Sequence, residues 1–387
     1  MGSPASRIVS SAQAAPPTRY NPALKQYFGH PSHHSKTSAH SGDPSDSEDP
    51  MNPHVRTIQR LAFHACAAAA TLLAAAPALA QTAWRPDRNV ELIVGSTPGS
   101  GQDKTARVIQ RIWKDAKLVE ATSAVVNKVG GGGVIADTYV AQRAGDAHTL
   151  MTASPTLLTN HISGRSKLNH TDFTPVALLF DEYIAFVVRP ESPYKTGNEL
   201  IAALKKNPAS VSFGFGTSIG NANHISIALL AKALGIDAKE MKVVVFNSAS
   251  DAAIAVMGGH IDVVATTANT VATQIEGGKM RALAVAAPQR MGGVYARVPV
   301  WREMKVDAVA SSYRSIFGPK GFTPAQAAFW EATFAKVVED ASWQQEIESN
   351  LWVSRYVPGN AFRKLLEEEY ANLAVVMGNL GLAKTGN

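Results

Sequence analysis

The chain predicts an α/β protein of two lobes, on three observations. Short apolar runs alternate with helical stretches from residue 90 to residue 380, the pattern of mainly parallel sheets whose faces are covered by helices. Two glycine-rich turns, within VELIVGSTPGSGQDKTAR (90–107) and SVSFGFGTSIGNANHISIALLAK (210–232), each lead from a strand into a helix. The start of a helix leaves backbone N–H groups without intrahelical partners, so each turn offers an anion a place ringed by hydroxyls. Polar loops at 96–100, 154–156, 217–221, 247–250 and 266–269 all follow strand-like runs, and ligands of such sheets sit beyond the carboxyl ends of strands. Any one of these loops reads as a simple helix cap; the five together read as the edge of a pocket. The pattern points to a binder of a small acid rather than a catalyst.

Each element follows from its period. VELIV (90–94) is a buried strand, and 102–118 an amphipathic helix with Ala106, Ile109, Ile112 and Trp113 inward. SAVVN (123–127), a helix at 134–144 after GGGG, and the strand TLMTA (149–153) follow. PVALLF (175–180) and YIAFVVRP (183–190) are β-rich; helices at 196–206 and 222–234 flank VSFGFG. KVVVF (242–246), a helix at 249–258, IDVVATT (261–267), a helix near 268–276 and RALAVAA (281–287) continue the alternation. SIFGPKG (315–321) is the last clear strand, and 323–380 is mostly helical.

The ends lie outside this pattern. Residues 1–50 are rich in Ser, Pro and His with no periodicity, a composition that does not bury enough surface to offset its ordering entropy. They read as disordered, or as an extension ahead of the true start at Met51. Residues 51–80 carry Arg56 and Arg60, an apolar stretch from Leu61, and Ala78-Leu79-Ala80 before Gln81. That is a secretory signal cleaved near Ala80, too short and Ala-rich for a membrane anchor. The expected location is the periplasm. The sole cysteine, Cys66, leaves with the signal, so the mature chain has no disulfide, thiolate metal site or cysteine nucleophile. Residues 1–80 hold six Lys/Arg and four Asp/Glu, which leaves +4 of the chain's +6 on the remainder. That mild balance favours small anions; with no basic stripe and interleaved aromatics, nucleic acid is not a partner.

Several catalytic readings fail on spacing. GSGQDKT has Asp103 where a phosphate loop needs glycine before Lys104. GGGG at 130–133 lacks the dinucleotide fingerprint, and no cofactor is called for. His148, His161, His170, His224 and His260 show no metal-ligand spacing, so no metal site is expected. Gly216-Thr217-Ser218-Ile219-Gly220 satisfies the bare G-x-S-x-G pattern, which keeps a serine hydrolase using His224 or His161 open as an alternative. Asp103 and Arg107 are spaced to pair along one helix.

GSTPGSGQDKTAR resembles the turn PFPPGGxxDxxAR of the periplasmic substrate-binding (Bug) proteins of tripartite tricarboxylate transporters, keeping Pro98, Gly99, Asp103, Ala106 and Arg107. VVNKVGGGGVIADTYVAQRAGDAHTLM, GHIDVVATTANTVATQIEGGKMRALAV and SIFGPKGFTP resemble three further family segments in the same order. The resemblance implies a type II periplasmic binding protein: two lobes, a hinge, and a central cleft that closes on a carboxylate. It places lobe 1 at 81–187 plus 313–387 and lobe 2 at 188–312. It implies no enzymatic activity, a monomer, and membrane permease subunits as partners, with a sensor histidine kinase as the alternative partner. The candidate ligand-binding residues are Ser96, Thr97, Pro98, Gly99, Ser100 and Gly101 of the first turn, Ser154 and Thr156, and Asn247, Thr266 and Thr267. The second turn adds Thr217, Ser218, Gly220, Asn221 and His224, the last either touching the ligand or merely capping its helix. Thr266-Thr267 stand where many relatives have an acidic–amide pair, and Gly95-Ser96-Thr97 replace Pro-Phe-Pro. These departures favour mono- or dicarboxylates over amino acids.

Overall fold

The computed structural model describes residues 84–384; the signal and the N-terminal extension read from the sequence lie outside them. Two sheets organise the chain. The first has the order β11-β4-β10-β3-β1-β2, built from β1 (Val90–Val94), β2 (Ser123–Asn127), β3 (Thr149–Ala153), β4 (Phe173–Asp181), β10 (Arg314–Pro319) and β11 (Val353–Pro358). The second has the order β7-β6-β8-β5-β9, from β5 (Ile184–Val188), β6 (Ser212–Gly216), β7 (Lys242–Phe246), β8 (Val263–Thr267) and β9 (Arg281–Val285). Helices flank both: α1 (Gly101–Asp115), α2 (Val134–Ala141), α3 (Thr156–Ile162), α4 (Gly197–Lys206), α5 (Ala222–Ala233), α6 (Ala249–Met257), α7 (Ala272–Glu276), α8 (Pro324–Glu339), α9 (Ala341–Ser349) and α10 (Gly359–Asn379).

Each sheet is mixed rather than mainly parallel. β1 runs parallel to β2 and β3, and β6 parallel to β7 and β8. β10 is antiparallel to β3 and β4, β11 to β4, and β5 to β8 and β9. The antiparallel members are those next to the passages between sheets, together with the edge strand β11. The sequence reading missed β11 because VSRYVP is half polar and only partly buried, as suits an edge strand with one covered face.

Each sheet carries a hydrophobic cluster on both faces. In the first, Trp113, Trp330, Phe334 and Trp343 pack on one face and Leu158, Phe317, Phe362 and Met377 on the other. In the second, Phe186, Phe213 and Trp301 lie on one face and Val256, Val271 and Tyr295 on the other. One cluster is shared between sheets: Ile225 and Ala228 of α5 pack with Leu373, Val376 and Met377 of α10.

The chain passes from the first sheet to the second through Glu182 and Tyr183, and returns through Ser311 and Ser312. These passages lie side by side: Tyr183 and Ser311 form an antiparallel bridge, and the Ser312 N–H donates to the Glu182 carbonyl at 2.7 Å. The division expected at 187/188 falls inside β5, which pairs wholly with the second sheet. The continuous apolar run of 183–188 carries no punctuation that would have shown the earlier passage.

Two buried carboxylates hold the passages. Asp181 is 1% exposed and accepts from Ser311 Oγ (2.8 Å) and Arg355 Nη1 (3.2 Å). Glu182, 3% exposed, pairs with Arg314 Nη2 at 2.7 Å and accepts from Trp352 Nε1 at 2.7 Å. Arg314 Nη1 also donates to the Ser312 carbonyl at 2.9 Å. Removing one partner of such a buried pair strands the other charge, which costs about 3–5 kcal/mol, whereas removing both charges is far milder. Arg314→Met should therefore lower unfolding free energy by about 3–5 kcal/mol, and adding Glu182→Gln should recover most of it, since Gln still accepts from Trp352. Urea titration of the three proteins checks this; equal stability of Arg314→Met and the parent would refute it.

Candidate functional site

The register places both glycine turns at the carboxyl ends of central parallel strands. Val94 pairs with Asn127, so Asn127 lies beside the exit of β1 and its amide donates to the Ser96 carbonyl and to Asp103 Oδ1, both at 3.0 Å. Asp103, 2% exposed, also accepts from the Gly99 N–H (2.9 Å) and from Arg107 Nε and Nη2 (2.9 and 3.0 Å). The expected helical pair of Asp103 and Arg107 thus forms, and it does more than link one turn of helix. One carboxylate ties the loop, the neighbouring strand and α1 together. Arg107 foremost, helped by the Gly99 N–H and the Asn127 amide, holds the Asp103 carboxyl down to about 2 against the opposing effect of burial.

The second turn is tighter. Gly216 pairs with Phe246, and a side chain at Gly216 would meet the backbone of Ser248 and Ala249 at 2.2–2.6 Å, so only glycine lets β7's exit loop pass. Thr217 follows with φ +80°, a left-handed conformation that a β-branched residue adopts only under constraint. The constraint is visible: the Thr217 N–H donates to the Phe246 carbonyl (2.9 Å), and Asn221 Nδ2 donates to Thr217 Oγ1 (2.8 Å) and to the Gly216 carbonyl (2.7 Å). Asn221 Oδ1 accepts from the His224 N–H at 3.0 Å, capping α5. His224, buried and stacked on Phe215 with centroids 4.9 Å apart, accepts the Gly220 N–H on Nδ1 at 3.1 Å. Burial pushes its imidazole down to about 4, so the ring is neutral, and because Nδ1 accepts, its single N–H proton is on Nε2.

These bonds show where several of the expected residues stand. Asn221 builds the turn from behind with both its amide groups spent on it, and His224 spends Nδ1 on it while its Nε2–H has no hydrogen-bond partner among the described residues. The N–H groups of Gly99 and Gly220 are likewise consumed, by Asp103 and His224. Thr266 is fully buried within β8, because its side chain points into the fold while Thr267 takes the exit position and bonds Asn269 and Thr270. Ser100 caps α1, accepting from the Asp103 N–H at 3.4 Å, and its Oγ meets Ser96 Oγ at 2.5 Å. Pro98 and Asn247 are exposed in their loops.

What remains unspent is narrower. Among the described residues, the N–H groups of Gly101 and Gln102 at the start of α1, and of Ser218 and Ile219 before α5, have no acceptor. The hydroxyls of Thr97, Ser154, Thr156 and Ser218 have no hydrogen-bond partner there either. Arg314 and Glu182 lie directly under the first turn: a side chain at Gly101 would come within 3.2 Å of Arg314 Nη2. Sequence reasoning missed Asn127, Glu182 and Arg314 as site-building groups. An amide ending a strand and an arginine opening an apolar one were the signals. Among the described residues no cluster of His, Cys, Asp and Glu is arranged to hold a metal ion, and no helix is long and apolar enough to cross a membrane.

Two mixed sheets joined by paired passages, with helix-start turns at the ends of their parallel strands, define a two-lobed periplasmic binding protein. The description of the tripartite tricarboxylate transporter family receptor, TctC, matches residues 106–382, and the chain belongs to that family. The UPF0065 protein in the gbd 5' region of Cupriavidus necator is 27% identical over 323 residues, 83% of this chain and 96% of that one. A TctC solute-binding protein from Polaromonas, solved without ligand, superposes with a TM-score of 0.65 at 27% identity, covering 76% of this chain and 99% of the other. A Rhodopseudomonas palustris protein solved with adipate shares the fold at 22% identity with a TM-score of 0.67, over 77% of this chain and 99% of that one.

The Asp103 network has a pH signature. A carboxyl lowered from 3.8 to about 2 on folding contributes about 2 kcal/mol above its unfolded pKa, and the contribution fades as pH falls through 4 towards 2. Asp103→Asn should cost about 2 kcal/mol at pH 7 and progressively less below pH 4. A penalty that stays constant down to pH 2.5 in denaturant titrations would show that the carboxylate charge is not what fixes the turn.

Proposed function

We propose that this protein is exported by the signal at 51–80, captures a small mono- or dicarboxylate between its two sheets, and delivers it as a monomer to a tripartite membrane transporter. The observation that carries the reading is a pair of unspent N–H groups in each of two turns on opposite sheets, Gly101–Gln102 at the start of α1 and Ser218–Ile219 in the loop ahead of α5. Aligned peptide dipoles and free N–H groups stabilise one carboxylate without a dedicated cation. The unpartnered hydroxyls of Thr97, Ser154, Thr156 and Ser218 add donors of the right kind. A ligand bridging both turns would contact both lobes at once, and contacts available only when the lobes are together are what shift the population towards closure.

The hydrolase alternative loses its base. Nδ1 of His224, the nitrogen with the free lone pair, already accepts the Gly220 N–H, and burial makes the ring a weak base. His161 bonds Tyr370 through Nδ1 at 2.7 Å, in the first sheet's cluster.

Thermal-shift screening against mono-, di- and tricarboxylates, with adipate among the first probes, tests the reading. Ligand that binds only the native state must raise the melting temperature. One acid should shift it selectively and be recovered unchanged. Calorimetry with that acid should show Ser218→Ala weaker by about 1–2 kcal/mol, the loss of one charge-assisted hydrogen bond. A panel in which no acid shifts the melting temperature, or an ester turned over, would sink the proposal.

A further inference from the structure

Arg165 follows α3 in the first lobe, yet its Nη2 donates to the carbonyl of Ile219 in the second lobe's turn at 2.6 Å. Its Nη1 lies 3.4 Å from Asn160 Oδ1, and Asn160 Nδ2 donates in turn to the Gly132 carbonyl at 3.0 Å. The guanidinium therefore joins α3, which follows β3, to the turn after β6, and through Asn160 it is linked to the glycine run after β2. Among the described residues no carboxylate lies within ion-pair distance of it. Its one short bond is to a backbone carbonyl of the opposite lobe.

The identity of that carbonyl matters. The Ile219 C=O and the Gly220 N–H belong to the same peptide unit. Its oxygen is held by Arg165 from the first lobe, and its nitrogen by His224 from the second. A planar peptide held at both ends resists rotation; the preceding peptide, which carries the unspent N–H of Ile219, joins it through the Ile219 backbone and is itself tied at the Ser218 carbonyl by the Asn221 N–H at 3.4 Å. Without Arg165 one end is free, and the left-handed glycine at 220 (φ +81°) permits the unit to swing.

We infer that Arg165 is a cross-lobe positioning residue: it clamps the Ile219–Gly220 peptide when the lobes are together and so couples lobe position to the anion-binding geometry of the second turn. The inference deepens the carboxylate-capture reading and rests on it for its consequence, but the clamp itself acts without ligand. In this role the guanidinium touches the turn and not the acid. Its charge strengthens the bond to a neutral carbonyl, and Asn160 sets its direction.

The test separates the clamp from the capture reading. Val129 and Val245 are exposed, one just beyond β2 and one within β7, at the outer edges of the two sheets. Spin labels on Val129→Cys and Val245→Cys, in the full chain with Cys66→Ser, report lobe separation by pulsed dipolar spectroscopy with no acid added. The parent should give a narrow distance distribution and Arg165→Met a longer or broader one. Arg165→Lys, which keeps one charged donor, should restore much of the narrow component. With an acid found by the thermal-shift screen, Arg165→Met should release it about tenfold faster in stopped-flow while its association rate stays within twofold. An Arg165→Met distribution superimposable on the parent's would overturn the clamp even if every acid bound normally. Failure of every acid to bind the parent would overturn the capture reading while the label distances still decided the clamp.

Discussion

The structure depends on two adjacent carboxylates, Asp181 and Glu182, buried where the chain leaves one sheet for the other. Each is matched to an arginine from a different part of the first lobe, Arg355 and Arg314. Burying two like charges on neighbouring residues is expensive unless both are paired and hydrogen-bonded, and here Ser311, Trp352 and the guanidinium groups do so. The consequence is directional. The passage backbone is fixed in place by groups from the first sheet, so the two passages bend together as a ribbon or not at all. Arg314 also underlies the first glycine turn, which makes the floor of that turn and the joint between sheets one continuous piece of structure.

The two turns solve the same problem with different parts. In the first, a carboxylate behind the loop gathers the Gly99 N–H, the Asn127 amide and Arg107; in the second, an amide and a neutral imidazole do the gathering. Both consume some of the N–H groups that make such turns attractive to anions. The expense is structural precision: a loop whose own donors were all free would have nothing to hold it in shape. What is left unspent, two N–H groups in each turn, is aimed by what has been spent.

Much of the fold was legible because period and punctuation agreed. β1, β2, β3 and β7 fall where their apolar runs place them, and both turns announced themselves by glycine spacing. The mixed direction of the sheets was not legible, since an antiparallel crossover strand such as β5 has the same continuous apolar signature as a parallel buried one. β11 escaped because an edge strand needs only one apolar face. Within the site, sequence showed which loops would carry polar groups but not which polar groups would face inward. Asn221, His224 and Thr266 have the right chemistry for a ligand; only the packing behind the turn shows that Asn221 and the Nδ1 of His224 bond the turn itself and that Thr266 is enclosed in β8. Arg165 was invisible for the opposite reason: nothing local marks it, and its partner is 54 residues away.

The depressed basicity of His224 has a consequence for acidity outside the cell membrane. An ordinary imidazole would gain a proton near pH 6.5 and its Nδ1 would cease to accept, releasing the Gly220 amide. Held neutral to about pH 4, this ring keeps the second turn in shape through the whole range in which a typical carboxylic acid is ionised. The turn therefore has no acid switch of its own above that point.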